Sequence, residues 1–207
     1  MGKVIRGKWD KAGTNAASGE AGNKNKIFLF HISIEETEPL IWRRFLVPGN
    51  VTLAKLHRII QEVMGWTNSH LHEFTIGNAS YADTSPELEP PKGLRNEKRM
   101  HLYRASPPDG GSFLYEYDFG DGWVHRVVVE KILDSHERFS GKPVCLEGEC
   151  ACPPEDCGGP FGYREMLDII KNEHHPEYED TMEWLGGGFD PNWFDTEETN
   201  QVLALLR

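Results

Sequence analysis

Hydrophobic and polar side chains alternate along the chain after a polar start of about 25 residues. In residues 27–34 the even-numbered positions are all Phe or Ile, and a second apolar run, residues 40–47 (LIWRRFLV), follows a break at Thr37-Glu38-Pro39. Alternation with a period of two predicts β-strands. The short break predicts that the two strands pair as a hairpin, and Pro48-Gly49-Asn50 predicts the end of the second strand.

The pattern then becomes helical. Apolar side chains recur three or four positions apart, at Leu53, Leu56, Ile60, Val63 and Met64. Thr52 is typical of a helix N-cap and Gly65 of a helix end. The run of residues 71–76 predicts a third strand, so the first half of the chain is predicted to fold as β-β-α-β.

The second half predicts another hairpin and then helices. Residues 113–119 and 123–132 are strand-like and flank Gly120-Asp121-Gly122, a strong hairpin signal. Residues 77–112 are rich in turn residues, with a short strand expected at 100–103. Helical spacing is found in residues 163–170, 178–185 and 196–206. We therefore predict an α+β fold: a mixed or antiparallel sheet with C-terminal helices packed on it.

Length and composition set the domain organisation. Residues 1–25 are rich in Gly, Ala, Asn and Lys and predict a mobile N-terminal arm, because they offer little apolar surface to bury. Residues 26–207 suit a single domain. No run of 18 apolar residues exists, which excludes a membrane-spanning segment, and no apolar leader precedes Leu29. We expect a cytoplasmic protein with no membrane partner.

Charge is divided unevenly along the chain. The net charge is −11, but residues 1–104 hold 15 basic and 11 acidic side chains, whereas residues 105–207 hold 7 and 22. A strongly acidic half disfavours tight non-specific binding to nucleic acid. The asymmetry is compatible with a local basic surface. It also allows the basic segment of one copy to contact the acidic helices of another, so a homo-oligomer is one expectation.

Four cysteines form the most compact group of potential metal ligands. They lie within 13 positions, spaced C-x4-C-x-C-x4-C, at Cys145, Cys150, Cys152 and Cys157. Without a secretory signal, clustered cysteines favour a metal site over disulfides, and four thiolates suit tetrahedral zinc. A site of Cys145, Cys152 and Cys157 with a distant His, a set of free buried thiols, and a single disulfide are the alternatives. The Pro-Pro and Gly-Gly pairs predict a shaped loop.

Histidines and aspartates form the second candidate group. If His70 and His72 lie on one strand, they share a face and can chelate a metal. Asp118, Asp121 and His125 surround the second hairpin and can serve as metal ligands or as an acid–base pair. These five residues are the candidate catalytic set of a metal-assisted hydrolase. The structural alternative is a buried histidine with two turn-forming aspartates.

A basic stretch is the third candidate. Residues 92–104 (KGLRNEKRMHLYR) interleave basic and aromatic side chains, as nucleic-acid-binding segments do. The candidate contacts are Lys92, Arg95, Lys98, Arg99 and Arg104. A solvated loop is the alternative. Trp42-Arg43-Arg44 extends the basic surface only in part, because adjacent strand residues point to opposite faces.

Several of these segments together resemble one family. They include Leu40-Ile-Trp-Arg-Arg, His70-Leu-His-Glu-Phe, Tyr117-Asp-Phe-Gly-Asp-Gly-Trp, Ala151-Cys-Pro-Pro-Glu-Asp-Cys-Gly-Gly and Phe189-Asp-Pro. In this order they are similar to the plasmid ORF-three-like family, named after an open reading frame of a root-inducing plasmid. The resemblance implies a compact α+β domain from bacteria or archaea, associated with plasmids and mobile elements. It implies no particular reaction.

Three functions follow from these observations. The first is a non-enzymatic binding module that contacts nucleic acid or a protein partner. The second, compatible with the first, is a structural zinc in the cysteine loop. The third is a metal-assisted hydrolase, which requires the histidines and aspartates to converge in one pocket.

Overall fold

One sheet organises the part of the chain that the structure, a computed structural model, describes: residues 23–84 and 92–206. Its eight strands are β1 (Ile27–Ile34), β2 (Trp42–Pro48), β3 (His72–Ile76), β4 (Ala79–Ala82), β5 (Leu94–Asn96), β6 (Ser112–Tyr117), β7 (Trp123–Leu133) and β8 (Val144–Glu149). Their order across the sheet is β5-β4-β3-β6-β7-β1-β2-β8. Every neighbouring pair is antiparallel except β4 and β5, which are parallel. The sheet is therefore mixed.

Three of the helical elements in the described ranges lie between strands and three follow the last strand. They are α1 (Leu53–Met64), a 3₁₀ turn (Glu97–Arg99), α2 (Leu102–Ala105), α3 (Gly159–Ile170), α4 (Tyr178–Trp184) and α5 (Thr196–Leu205). This arrangement confirms the predicted α+β class with C-terminal helices. The predicted β1–β2 and β6–β7 hairpins are present as well.

The core lies between the sheet and α1. The even positions of β1, from Phe28 to Ile34, are fully buried, as the alternation predicts. Helix α1 starts where the Thr52 side chain accepts a hydrogen bond from the Lys55 N–H (3.2 Å), and it ends at Gly65, whose φ is 107°. The opposite sheet face carries His31 stacked on Trp42, with ring centroids 5.2 Å apart.

Two local predictions are wrong. The short strand expected at residues 100–103 is replaced by α2, and His101 forms only an isolated bridge with Thr52. The cysteine segment is predicted to be a shaped loop, but its first part, from Cys145 to Glu149, belongs to β8, which pairs with β2. Strands β4, β5 and β8 have three to six residues, too few to establish a periodicity in the sequence.

Some predictions fall outside the described residues. Residues 1–22 of the predicted arm and residues 85–91 of the turn-rich segment are among these. The single-domain assignment of residues 26–207 stays a prediction. Across the described ranges, every helix is too short or too polar to cross a membrane.

Candidate metal centre

Antiparallel pairing brings two of the predicted ligands to one end of the sheet. His72 at the start of β3 pairs with Tyr117 at the end of β6. The residue before β3 and the residue after β6 therefore meet, and the Asp118 N–H donates to the Leu71 carbonyl (2.9 Å). His70 and Asp118, which are 48 positions apart in the sequence, become neighbours through this register.

Asp118 shapes the hairpin turn and directs one oxygen away from it. Its backbone is left-handed, with a φ of 56°. Its Oδ1 accepts hydrogen bonds from the N–H groups of Gly120 (2.9 Å) and Asp121 (3.4 Å). The other oxygen, Oδ2, lies 3.6 Å from His70 Nδ1. The turn thus uses one carboxylate oxygen and leaves the other beside the imidazole.

The third segment of the site comes from the cysteine loop. Asp121 Oδ2 accepts the Gly158 N–H (3.0 Å), which ties this loop to the hairpin turn. Glu155 Oε1 accepts hydrogen bonds from the Thr67 N–H (2.8 Å) and from the Tyr117 hydroxyl (3.0 Å). Asp156 follows with a left-handed φ of 58°. These contacts place two adjacent carboxylates beside His70.

The three segments converge on His70. Its Nε2 lies 3.3 Å from Asp156 Oδ1 and 3.7 Å from Glu155 Oε2. One ligand atom each from His70, Asp118 and Asp156 lies within 4.8 Å of the others, and no other group of three metal-binding side chains does so among the described residues. His70 Nε2 and Glu155 Oε2 are buried yet lack a hydrogen bond in this arrangement. A cation would give both atoms a partner.

His72 does not belong to this group. The prediction that His70 and His72 share a strand face is wrong, because β3 begins at His72 and His70 precedes it. His72 Nε2 hydrogen-bonds Glu97 Oε2 (2.8 Å), and its ring stacks on His57 with centroids 3.5 Å apart. It is a buried, fully packed side chain on the face that α1 covers.

His125 is also buried away from the site. Its Nδ1 donates to the carbonyls of Tyr115 (3.1 Å) and Trp123 (3.0 Å), so its Nε2 accepts the Trp66 Nε1–H (3.1 Å). Complete burial lowers the pKa of His125 to about 4. With both ring nitrogens occupied, His125 is a structural side chain. Of the five candidate catalytic residues, only His70 and Asp118 come together, while Asp121 holds the loop beside them.

Cys145 lies in β8, and the other three cysteines follow that strand. All four are free thiols, and no three of them form a metal-binding group in the described residues. Burial raises the pKa of Cys145 to about 11 and that of Cys157 to about 12, so both are neutral at pH 7. This geometry lends no support to the predicted zinc site, which stays a prediction.

The basic residues lie on or beside β5 and on the segment that follows it, which contacts residues 49–53 between β2 and α1. Lys92, Arg95, Lys98, Arg99 and Arg104 are all exposed, on or beside β5 and α2. Lys98 pairs with Asp83 (2.8 Å). Arg43 and Arg44 do not extend this surface, since Arg43 is buried and Arg44 pairs with Glu130 and Glu147. Nucleic-acid binding by these residues stays a prediction.

Glu155 and Asp156 are the candidate site residues that sequence reasoning missed. The two carboxylates lie between Pro154 and Cys157, in a segment whose most conspicuous feature in the sequence is its thiols. The available signal was the turn-forming composition of Pro153-Pro-Glu-Asp-Cys-Gly-Gly159, which indicates a rigid loop that presents its polar side chains. Their proximity to His70 depends on the long-range contact between this loop and the hairpin turn.

Comparisons with known proteins agree on one family. A family model described as plasmid pRiA4b ORF-3-like protein matches residues 26–198. The uncharacterized protein y4hQ of Sinorhizobium fredii (strain NBRC 101917 / NGR234) is 37% identical over 156 residues, covering 75% of this chain and 78% of that protein. The crystal structure of MM3350, a protein of unknown function from Methanosarcina mazei Go1, is similar with a TM-score of 0.76 and 40% identity, covering 84% of this chain and 97% of that one.

Proposed function

The chain belongs to the plasmid pRiA4b ORF-3-like family, and we propose that it is a binding module for a divalent metal ion, with His70, Asp118 and Asp156 as ligands. The observation that carries this proposal is the convergence of these three side chains from three separate segments, with ligand atoms within 4.8 Å of one another. The association with mobile elements, implied by the sequence resemblance, is part of the same proposal.

The donor set favours a transition metal. Imidazole nitrogen suits Zn²⁺, Fe²⁺ and related ions, whereas carboxylate oxygens suit Mn²⁺ and the hard cations. One histidine with two carboxylates therefore favours Mn²⁺ or Zn²⁺ over Mg²⁺ and Ca²⁺. Glu155 Oε2, 3.7 Å from His70 Nε2, is a fourth potential ligand. The Tyr117 hydroxyl and Thr67 hold its other oxygen and thereby orient the carboxylate.

Hydrolysis is the alternative activity of the same site. A metal ion with three protein ligands has a position for water and can lower the pKa of that water. The five-residue hydrolase predicted from the sequence is not supported, because His72 and His125 are packed in the core. Only His70 and Asp118 of that set are available to such a reaction.

Metal titration of the full chain tests the proposal. We expect calorimetric titration with MnCl₂ or ZnCl₂ to give one site per chain, and Asp118→Asn to weaken its affinity by at least about tenfold. Asparagine retains the oxygen that accepts the Gly120 and Asp121 N–H groups and tolerates a left-handed backbone, so the turn is preserved. Only the negative charge facing His70 is lost.

Matched variants make the titration decisive. Asp109→Asn removes an exposed charge from a turn that contributes neither a ligand nor a contact to the site, so it is expected to bind metal like the original chain. Equal affinities for Asp118→Asn and the original chain would overturn the proposal. Cys152→Ser tests the predicted cysteine site in the same assay, because loss of zinc in that variant alone would assign the metal to the thiols.

A second candidate function is nucleic-acid binding by the basic stretch of residues 92–104. The observation that favours it is the exposure of all five of its basic side chains. Gel-shift titrations at low and physiological salt test it, because contacts to phosphate weaken as salt rises. A chain with Arg95, Arg99 and Arg104 changed to Gln is expected to lose the shift. Absence of a shift at low salt in the original chain rules this function out.

A further inference from the structure

An apolar groove with an acidic rim has none of the proposed metal ligands in its lining. It has a volume of about 520 Å³ and runs between the C-terminal end of α1 and helix α5. Its apolar lining includes Met64, Trp66, Phe189, Trp193 and Val202. Trp193 is 55% exposed and Val202 39% exposed. Exposed tryptophan in a formed groove is typical of a recognition surface.

The rim of this groove is strongly negative. Four carboxylate residues line it: Glu62, Asp190, Asp195 and Glu198. Lys55 interacts electrostatically with Glu62 from the preceding turns of α1, and the salt bridges found among the described residues leave out Asp190, Asp195 and Glu198. The one basic residue among the described lining residues is Arg43. Its guanidinium donates to backbone carbonyls and lies 3.7 Å from the centre of the Phe194 ring. The groove therefore carries negative charge that its own lining does not neutralise.

The distances between these carboxylates indicate whether they bind one metal ion or several positive charges on a larger ligand. No three of them come close enough together to form a metal-binding group in the described part of the chain. A single ion thus has no site here, whereas several positive charges distributed along a ligand can each meet one carboxylate. The apolar floor requires hydrophobic side chains on the same ligand.

We propose that the groove between α1 and α5 binds a basic amphipathic segment of a partner protein. Apolar side chains of that segment pack on Trp193 and Val202, and its Lys or Arg side chains pair with Glu62 and Glu198. A helix that places its apolar face in a groove is a recurrent mode of peptide recognition, and charge complementarity adds specificity and speeds encounter. The excess of acidic residues in residues 105–207 attracts such a segment from a distance.

A model peptide tests this proposal on the full chain. The probe is a fluorescently labelled amphipathic helix of about 14 residues, built from Leu and Lys at helical spacing, and its anisotropy is measured during titration with protein. We expect saturable binding that weakens as salt rises. The double substitution Glu62→Gln with Glu198→Gln is expected to raise the Kd about tenfold, and so is Trp193→Ala.

Controls separate the groove from the general acidity of the chain. Glu179→Gln with Glu183→Gln removes two exposed charges from α4 and is expected to change the Kd less than about twofold. An equal effect of the two double substitutions would overturn the proposal, as would an unchanged Kd for Trp193→Ala. Sedimentation of the chain alone tests a second copy as the occupant, and self-association abolished by Trp193→Ala would replace the partner protein by that copy.

Discussion

At the scale of single residues, two adjacent arginines have opposite roles. Arg43 is buried, and its guanidinium donates to five backbone carbonyls, including those of Val63 and Met64 at the end of α1 and Cys150 after β8. Arg44 points to the other face and pairs with Glu130 and Glu147. The alternation of side chains along β2 explains why one arginine is buried and the other pairs with glutamates. That Arg43 joins α1 to β8 becomes apparent only in the tertiary structure.

Arg43→Lys is expected to destabilise the protein by about 2–4 kcal/mol, because a lysine cannot reach several carbonyls and leaves buried acceptors unpaired. The free energy of unfolding is measured by urea denaturation. Arg44→Lys is the matched control and is expected to cost less than about 1 kcal/mol, since its ion pairs lie at the surface and stay partly accessible to water. Similar losses in the two variants would contradict the role given to Arg43.

At the scale of elements, the contact between the cysteine loop and the β6–β7 turn builds the candidate metal centre. Gly159 makes this contact possible. Its φ is 69°, and a Cβ at this position would collide with the Asp121 carbonyl oxygen. A glycine therefore allows the loop to approach the turn closely enough to place Asp156 beside His70.

Gly159→Ala is expected to separate the loop from the turn, which would cost about 2–4 kcal/mol of stability and weaken metal binding. Gly188→Ala is the control, since its Cβ meets nothing within 4 Å, and we expect a change of no more than about 0.5 kcal/mol. Thermal denaturation and metal titration measure the two effects separately. Unchanged metal affinity in a folded Gly159→Ala variant would contradict the role of this contact.

At the scale of the whole molecule, two buried histidines link folding to pH. His57 lies against the sheet, where its Nε2 donates to Asn68 Oδ1 (2.6 Å) and its Nδ1 accepts from the Tyr115 hydroxyl (2.8 Å). Burial lowers the pKa of His57 to about 4, and burial does the same to His125. Both side chains are neutral in the folded protein at pH values where the unfolded chain protonates them.

Stability is therefore expected to fall as the pH drops from about 6.5 to about 4, because the unfolded state binds protons that the folded state excludes. Each histidine contributes a loss of roughly 3 kcal/mol over this window. Urea denaturation between pH 7 and pH 5 measures the slope. His57→Gln removes one of the two groups and is expected to make the slope shallower by up to about 1.4 kcal/mol per pH unit. An unchanged slope would contradict this assignment.

The main elements of this fold can be predicted from local patterns in the chain. Residues 27–34 and the positions of α1 carry periodicities that depend only on which side chains face a core, and Gly120-Asp121-Gly122 specifies a turn locally. Such signals lie within a few neighbouring residues and can be recognised without knowing the fold. Short strands such as β5 and β8 have too few residues to show a period of two. They form because they can pair with the unpaired edge of a neighbouring strand.

The candidate site was decided by the tertiary structure. His70 and Asp118 can be proposed as ligands from the sequence. The sequence also suggested His72 and His125, which the core buries. No local pattern distinguishes Glu155 and Asp156 as ligands. Metal binding requires ligand atoms to converge in space, and that convergence depends on strand register and on the packing of the cysteine loop against a distant turn. Contacts between residues that are far apart in the chain produce no periodic pattern in the sequence.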